Sequence, residues 1–147
     1  MILRKILLVT LVLFCFSCSA SSDAKLREID IFKGGKSVAI AKVEVADTPA
    51  ERAKGLMYRK ELPKNQGMWF IFDKNVTGPF WMENTFVSLD IIFIDSQNKI
   101  VSIVKDTVPL SREQISSTGP YRYVLEVNAG YSEKQSLVTG DIIILKE

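Results

Sequence analysis

Apolar and polar residues alternate with a period of two along much of the chain beyond residue 26, which is typical of β-strands with one buried face. The first two such segments, Arg27–Phe32 and Ser37–Val45, flank Lys33-Gly34-Gly35-Lys36. Because two glycines can both adopt positive φ, this sequence predicts a hairpin turn. The pattern predicts six further strands: Met68–Phe72, Phe80–Met82, Leu89–Ile94, Lys99–Val104, Tyr121–Val127 and Asp141–Leu145.

Two of the predicted strands contain uninterrupted apolar runs. Ile91–Ile94 and Ile142–Leu145 include no polar residue, which favours strands that are covered by protein on both faces and lie centrally in a sheet. The turn residues Ser96-Gln97-Asn98 follow the first of these runs. They predict a second hairpin, between Leu89–Ile94 and Lys99–Val104.

One segment has a clear helix signal. In Thr48-Pro49-Ala50-Glu51 the threonine can cap a helix, the proline suits the first helical position and the glutamate completes a capping box. The helix is predicted to end near Met57, since Gly55 weakens it by about 1 kcal/mol relative to alanine. Ser132–Val138 predicts one or two helical turns. The chain is therefore predicted to be mostly β, a compact single-domain β-sandwich or barrel with one or two short helices.

The first residues have the layout of a bacterial secretion signal. Arg4 and Lys5 precede an uncharged stretch of twelve residues, which as a helix would rise about 18 Å, too little for a bilayer core of roughly 30 Å. Small Ser17 before Cys18 resembles a lipobox, in which the signal is removed and the new N-terminal cysteine is acylated. We expect a secretion signal over residues 1–17, a lipidated cysteine with a short tether over residues 18–25, and the folded domain over residues 26–147. The alternative is ordinary cleavage after Ala20.

Composition excludes several classes of site. The chain has no histidine and two cysteines, Cys15 and Cys18, of which one lies in the predicted signal and the other is its lipidation site. This excludes a Ser-His-Asp or Cys-His catalytic arrangement and a zinc site built on histidine and cysteine. Loss of Arg4 and Lys5 with the signal leaves as many basic residues as the 17 acidic ones, so no basic surface for nucleic acid is expected. We expect no cofactor, no metal and a monomer.

Four segments, in order along the chain, resemble the DUF192 family, also called UPF0127. They are Glu44–Met57, Gly67–Phe72, Phe80–Thr85 with Leu89–Asp95, and Val124–Gly130 with Gly140-Asp141. The chain departs from the family at Ser88, where the family tends to have a proline before the Leu-Asp pair, and this loosens one turn. The resemblance covers nearly all of the predicted domain. It implies a compact, mostly β single domain that is often exported, and it supplies no reaction.

Aromatic and polar side chains beside the apolar segments are candidate ligand-binding residues. Trp81 lies in a run of large, soft side chains; core packing is the plainer interpretation, and the floor of a pocket is the alternative, since aromatic faces suit sugar rings and cations. The polar candidates are Arg52, Asn84, Asp90 and Glu126. Alternation turns Glu126 away from its apolar neighbours, where it is either exposed or paired. We expect Arg52, on the short helix, to pair with Asp90 or Glu126.

These features predict an extracytoplasmic, lipid-anchored domain that binds a small molecule or glycan, or associates with the cell envelope, without catalysis. It would face the periplasm or the cell surface, held at the membrane by the acyl chains on Cys18. The alternative is a small carbohydrate-active hydrolase that uses Asp90 and Glu126, which requires carboxylates about 5–5.5 Å or 6.5–9.5 Å apart. A structural partner protein with a flat surface is a third hypothesis. Convergence of Trp81, Asn84, Asp90 and Glu126 on one concavity would distinguish among these hypotheses.

Overall fold

A computed structural model describes residues 26–146. The predicted signal over residues 1–17 and the tether over residues 18–25 lie outside the described residues. The secondary-structure elements are β1 (Arg27–Lys33), β2 (Lys36–Ala46), α1 (Pro49–Lys54), β3 (Gln66–Val76), β4 (Leu89–Ile94), β5 (Ile100–Val104), β6 (Tyr121–Asn128), α2 (Tyr131–Lys134) and β7 (Ile142–Leu145). The prediction of a mostly β, compact single domain with one or two short helices is confirmed, and two are present.

The strands form one seven-stranded sheet in the order β5-β4-β6-β3-β2-β1-β7. Neighbouring strands are antiparallel except β2 and β3, which are parallel and are connected through α1. The sheet curls so that its two edges meet over a few residues. There the Ile100 amide donates to the Asp141 carbonyl at 2.9 Å, and the Ile143 amide donates to the Asn98 carbonyl at 2.9 Å. The result is a curled half-barrel rather than two packed sheets.

Each face of the curled sheet carries its own hydrophobic core. Trp69, Ile92 and Leu125 belong to the core on one face, whereas Phe70 and Phe93 belong to the core on the other face. The alternation of β-strand side chains sends consecutive residues of β3 and β4 into different cores. β4 is therefore buried at all six of its residues, and its predicted central position, between β5 and β6, is confirmed.

The two hairpins and the helix that local sequence signals predict are present in the structure. β1 and β2 pair as an antiparallel hairpin, and so do β4 and β5. At the start of α1 the Glu51 amide donates to Thr48 Oγ1 at 3.2 Å, and the Thr48 amide donates to Glu51 Oε2 at 3.0 Å, so the capping box is present. The hydrogen bonds that the Glu51 carboxylate accepts from the amide and the hydroxyl of Thr48 hold the pKa of Glu51 below its usual value. The helix is shorter than predicted because Gly55, at φ 48°, ends it.

One predicted strand is absent, and another is present at a different place in the sheet from the one predicted. Ile142–Leu145 is an edge strand, not a central one: Ile143 is fully buried, but Ile144 is 40% exposed. Phe80–Met82 is not a strand; Phe80 makes an isolated bridge to Ile115 through two backbone hydrogen bonds of 2.8 Å. Within residues 26–146 we find no helix with the length and apolar character needed to cross a bilayer.

Candidate functional site

A pocket of about 450 Å³ opens between α1 and the segment of residues 78–81, above the face of the sheet formed by β3 and β6. Its wall is largely apolar. The lining consists of residues 52–57, Phe70, Phe72, Val76, residues 78–81, Thr85, Tyr121 and Glu126. The pocket thus lies over the second hydrophobic core, with the parallel β2–α1–β3 connection forming one of its sides.

Interlocking aromatic rings form the base of the pocket. Phe80 contacts Phe70 edge to face with ring centroids 5.4 Å apart, and it contacts Phe93 at 5.7 Å and Tyr121 at 6.2 Å. The Tyr121 hydroxyl donates to the Gly78 carbonyl at 2.6 Å, which holds the 78–81 segment against the sheet. Burial raises the pKa of Tyr121 to about 12, so this hydroxyl stays protonated near neutral pH. The base is therefore well packed and fixed in position.

Trp81 stands at the mouth of the pocket. It is 46% exposed, whereas the next residue, Met82, is 1% exposed and belongs to the core. The Met82 amide donates to the Ser111 carbonyl at 3.0 Å, which fixes the backbone beside Trp81. A large aromatic side chain held half in solvent at the rim of an apolar cavity is suited to contact a ligand.

Glu126 supplies the one acidic group of the pocket lining, and it lies on the floor. The residue is 5% exposed, and its Oε2 atom is 3.9 Å from the position that a Cβ on Gly55 would occupy. Among the described residues, no hydrogen bond or ion pair of its carboxyl group is present. Because burial penalises the charged form, it raises the pKa of Glu126 to about 8.

Arg52 lines the pocket but does not form the predicted ion pair. Its guanidinium donates to the Ile71 carbonyl at 2.8 Å and to the Asp47 carbonyl, and it lies 5.1 Å from the centroid of the Phe72 ring. These contacts tie α1 to the residue that follows β2 and to the middle of β3. The prediction of a pair with Asp90 or Glu126 was wrong because the backbone carbonyls of Asp47, before the helix, and Ile71, in β3, already bind the guanidinium.

Asp90 is a structural residue, and it faces away from the pocket. Its carboxylate accepts the backbone amides of Ser132 at 2.8 Å, Asp106 at 3.1 Å and Gly130 at 3.3 Å. In the pairing of β4 with β6, Glu126 is opposite Ile91, whereas Asp90 is opposite Val127. Adjacent residues of a strand point to opposite faces, so the two carboxylates lie on different sides of the sheet. They cannot act as the paired carboxylates of a glycosidase.

Asn84 also lies outside the pocket lining. It adopts φ 56°, a left-handed conformation that asparagine tolerates better than most residues, and its carbonyl accepts the Tyr58 amide at 2.8 Å. This bond connects the turn after α1 with the segment that carries Trp81. Of the five predicted ligand-binding residues, the structure therefore brings Arg52, Trp81 and Glu126 together, and it places Asn84 and Asp90 elsewhere.

Sequence reasoning missed Phe80 and Tyr121 as pocket residues. Alternation along β6 assigns Tyr121 to the same face as Tyr123, yet the two belong to different cores. The pairing of β3 with β6 is irregular between Ile71 and Val76, and this irregularity turns Tyr121 towards the pocket. No local signal in the sequence marks that change. Within residues 26–146, no cluster of three acidic or cysteine side chains is arranged to hold a metal ion.

Comparison with known proteins matches the chain to a family and to solved structures. The model of the family DUF192, described as "Uncharacterized ACR", matches residues 30–145. A crystal structure from Sinorhizobium meliloti 1021, of a protein called a "putative transcription regulator", is 34% identical; the match covers 82% of this chain and 93% of that chain, with a TM-score of 0.78. A protein of unknown function from Novosphingobium aromaticivorans DSM 12444 is 31% identical over 85% of this chain and 89% of its own, with a TM-score of 0.79. No curated protein matches.

Proposed function

The chain belongs to DUF192, a family without an assigned activity, and we propose that this member is a non-catalytic domain that binds a small, largely apolar ligand in the pocket below Trp81. We further propose that it does so outside the cytoplasm, anchored to a membrane through an acylated Cys18. The observation that carries the binding function is the combination of an apolar cavity, a half-exposed tryptophan at its mouth and a buried carboxyl group on its floor.

The dimensions and lining of the pocket support binding. Its volume of about 450 Å³ falls within the range of about 300–1,000 Å³ that is usual for small-molecule sites. Such sites are mainly hydrophobic and aromatic, with a few placed polar groups that orient the ligand. Here Phe70, Phe80 and Trp81 supply the apolar contacts, and Glu126 supplies the buried polar group.

The arrangement of acids argues for binding rather than hydrolysis. A glycosidase of the usual kind needs two carboxyl groups that flank one bond. Glu126 is the one acid that lines this pocket, and Asp90 lies across the sheet from it with its oxygens bound to backbone amides. The Tyr121 hydroxyl is bonded to the Gly78 carbonyl and keeps its proton, so it is not available as a second acid–base group.

Binding can be tested with phenethyl alcohol, a neutral probe that depends on apolar contact. Trp81 is the reporter, since the other tryptophan, Trp69, is buried in the core on the opposite face. We expect a saturable change in fluorescence, abolished by Ala53→Phe, which fills the pocket from α1. Ala50→Phe is the matched control, because Ala50 is exposed on the same helix and does not line the pocket. No saturable change in the wild-type protein, or equal losses in both variants, would reject the proposal.

Anchoring through Cys18 is tested separately. We expect a radioactive fatty acid to label the protein in cells, and we expect the labelled protein to remain with the membrane fraction. A multiply acylated cysteine supplies the two hydrophobic signals that stable anchoring requires. Cys18→Ser should abolish both the label and the membrane retention. Label in the Cys18→Ser variant, or its absence from the wild-type protein, would reject the lipid anchor in favour of cleavage after Ala20.

A further inference from the structure

The carboxyl group of Glu126 has unused bonding capacity directed into a cavity. The residue is 5% exposed, and within residues 26–146 its carboxyl group has no hydrogen-bond donor or cation as a partner. Asp90, which is also buried, shows the contrast: three backbone amides bind its oxygens. Buried carboxyl groups are normally satisfied in this way because an unpaired one costs free energy. The missing partner of Glu126 can be supplied by a ligand.

The groups around Glu126 do not provide that partner. From α1, Arg52 binds the carbonyls of Asp47 and Ile71, and Lys54 is exposed at the rim. From β6, the Tyr121 hydroxyl donates to the Gly78 carbonyl. β3 contributes only aromatic and aliphatic side chains to the lining, and the residue opposite Glu126 on β4 is Ile91. The hydroxyl of Thr85, which also lines the pocket, donates to the Glu83 carbonyl at 3.3 Å. Every other polar side chain of the lining is therefore bonded elsewhere or exposed to solvent.

Resting on the proposed binding function, we propose that the ligand of this pocket is an amine: an aromatic or branched apolar body that carries a primary ammonium group, with the ammonium paired to the carboxylate of Glu126. The body would pack against Phe70 and Phe80 below and Trp81 above. An ammonium group provides three donors and a full positive charge, and a charge-assisted hydrogen bond is about twice as strong as a neutral one. The neighbouring ring faces add attraction for a cation.

Other ligand chemistries suit the ionised form of Glu126 less well. A carboxylate can bind beside Glu126 only while Glu126 keeps its proton, so its binding should weaken as pH rises through the Glu126 pKa of about 8. An alcohol can form one hydrogen bond to Glu126, but above that pKa it leaves the ionised carboxylate without a counter-charge. An amine supplies both the hydrogen bonds and the counter-charge.

Ammonium binding is coupled to the proton of Glu126. Burial raises the pKa of this residue to about 8, whereas an aliphatic amine such as that of lysine has a pKa of about 10.4. Near pH 7 the empty pocket therefore holds a neutral Glu126, and binding of the ammonium expels its proton to solvent. Affinity for an amine should rise with pH as Glu126 ionises. The charged groups that line the pocket with it are Arg52 and Lys54 from α1.

The test compares three probes of matched size by calorimetry: phenethylamine, phenethyl alcohol and hydrocinnamate. At pH 8.5 we expect phenethylamine to bind more tightly than the other two probes, and at pH 6.5 we expect its affinity to be roughly tenfold or more lower. The released proton should be detected as a dependence of the binding enthalpy on the buffer. Glu126→Gln should weaken phenethylamine at pH 8.5 by at least about tenfold and remove its pH dependence. The same substitution should change the affinity for phenethyl alcohol less than about threefold.

The outcomes separate this inference from the function on which it rests. Alcohol that binds as tightly as the amine, with Glu126→Gln leaving both unchanged, would reject the amine and leave the binding pocket in place. A preference for hydrocinnamate would also reject it. Failure of all three probes to bind would reject the binding function as well. The pH dependence and proton release of the wild-type protein test the same claim without any variant.

Discussion

At the scale of single residues, Glu126 stands out because a strand residue with an ionisable side chain faces a cavity instead of solvent. Its apolar neighbours in β6, Leu125 and Val127, pack into the core on the opposite face. β6 and β3 approach closely here, since the residue opposite Val127 is Gly67. The absence of a side chain at Gly67 therefore permits the close approach of β3 and β6, and Glu126 is buried beside this contact.

Glu126 should make the stability of the protein depend on pH. Its pKa is about 8 in the folded protein against an ordinary value of 4.5, so between these values the folded state holds a proton that the unfolded state has lost. The free energy of unfolding should thus fall as pH rises from about 4.5 to 8, by on the order of 3–5 kcal/mol in total. Urea unfolding of wild type and Glu126→Gln across this window measures the effect, since glutamine has no proton to lose. Parallel curves for the two proteins would contradict the burial of an unpaired carboxyl.

Gly67 should tolerate no side chain. A Cβ at this position would lie 2.3 Å from the carbonyl oxygen of Glu126 and 2.9 Å from Cγ1 of Val127, so β3 would have to move away from β6. We expect Gly67→Ala to lower the free energy of unfolding by about 3 kcal/mol or more. Gly78→Ala is the control, since no atom lies within 4 Å of the added Cβ, and it should change stability by less than about 0.5 kcal/mol. Equal unfolding midpoints for the two variants would contradict the close strand approach.

At the scale of elements, local signals were sufficient for α1 and insufficient for β7. The capping box at Thr48 and Glu51 depends on residues three apart in sequence, so it could be predicted and it is present. The position of β7 depends on how the whole sheet curls, and its apolar run suggested a central strand. In the structure β7 pairs with β1 along one side, and its start meets the chain before β5, so one face is buried and Ile144 remains exposed.

Asp90 connects three elements and should contribute to stability rather than to binding. It holds the amides of Gly130 and Ser132 at the start of α2, and the amide of Asp106 after β5, against β4. Asp90→Asn removes the charge and one acceptor oxygen, and we expect a loss of about 2–4 kcal/mol in unfolding free energy. Asp73→Asn, at an exposed position of β3, is the control. Loss of probe binding by a stably folded Asp90→Asn protein would contradict the structural role.

At the scale of the whole molecule, the pocket is formed by segments that are distant in sequence. Arg52 and Trp81 could be nominated from their side-chain types, and both line the cavity. The face to which each strand residue points could be predicted wherever alternation holds, as for Glu126. It could not be predicted for Tyr121, where the irregular pairing of β3 and β6 changes the face. The ion pair expected for Arg52 is absent for a similar reason, because tertiary packing brings one of the carbonyls that bind the guanidinium, that of Ile71 in β3, to the helix.

The measurement that tests the central claim most directly is an NMR titration of the protein with phenethylamine at pH 8.5, with every affected residue identified. We predict that shifts concentrate on the amide of Gly55, the side chains of Phe70 and Tyr121, the indole of Trp81 and the carboxyl carbon of Glu126. The exposed apolar residues Val108 and Val138, which do not line the pocket, should remain unchanged. Shifts that spread over such surface residues, or saturation without any change at Glu126, would contradict the account.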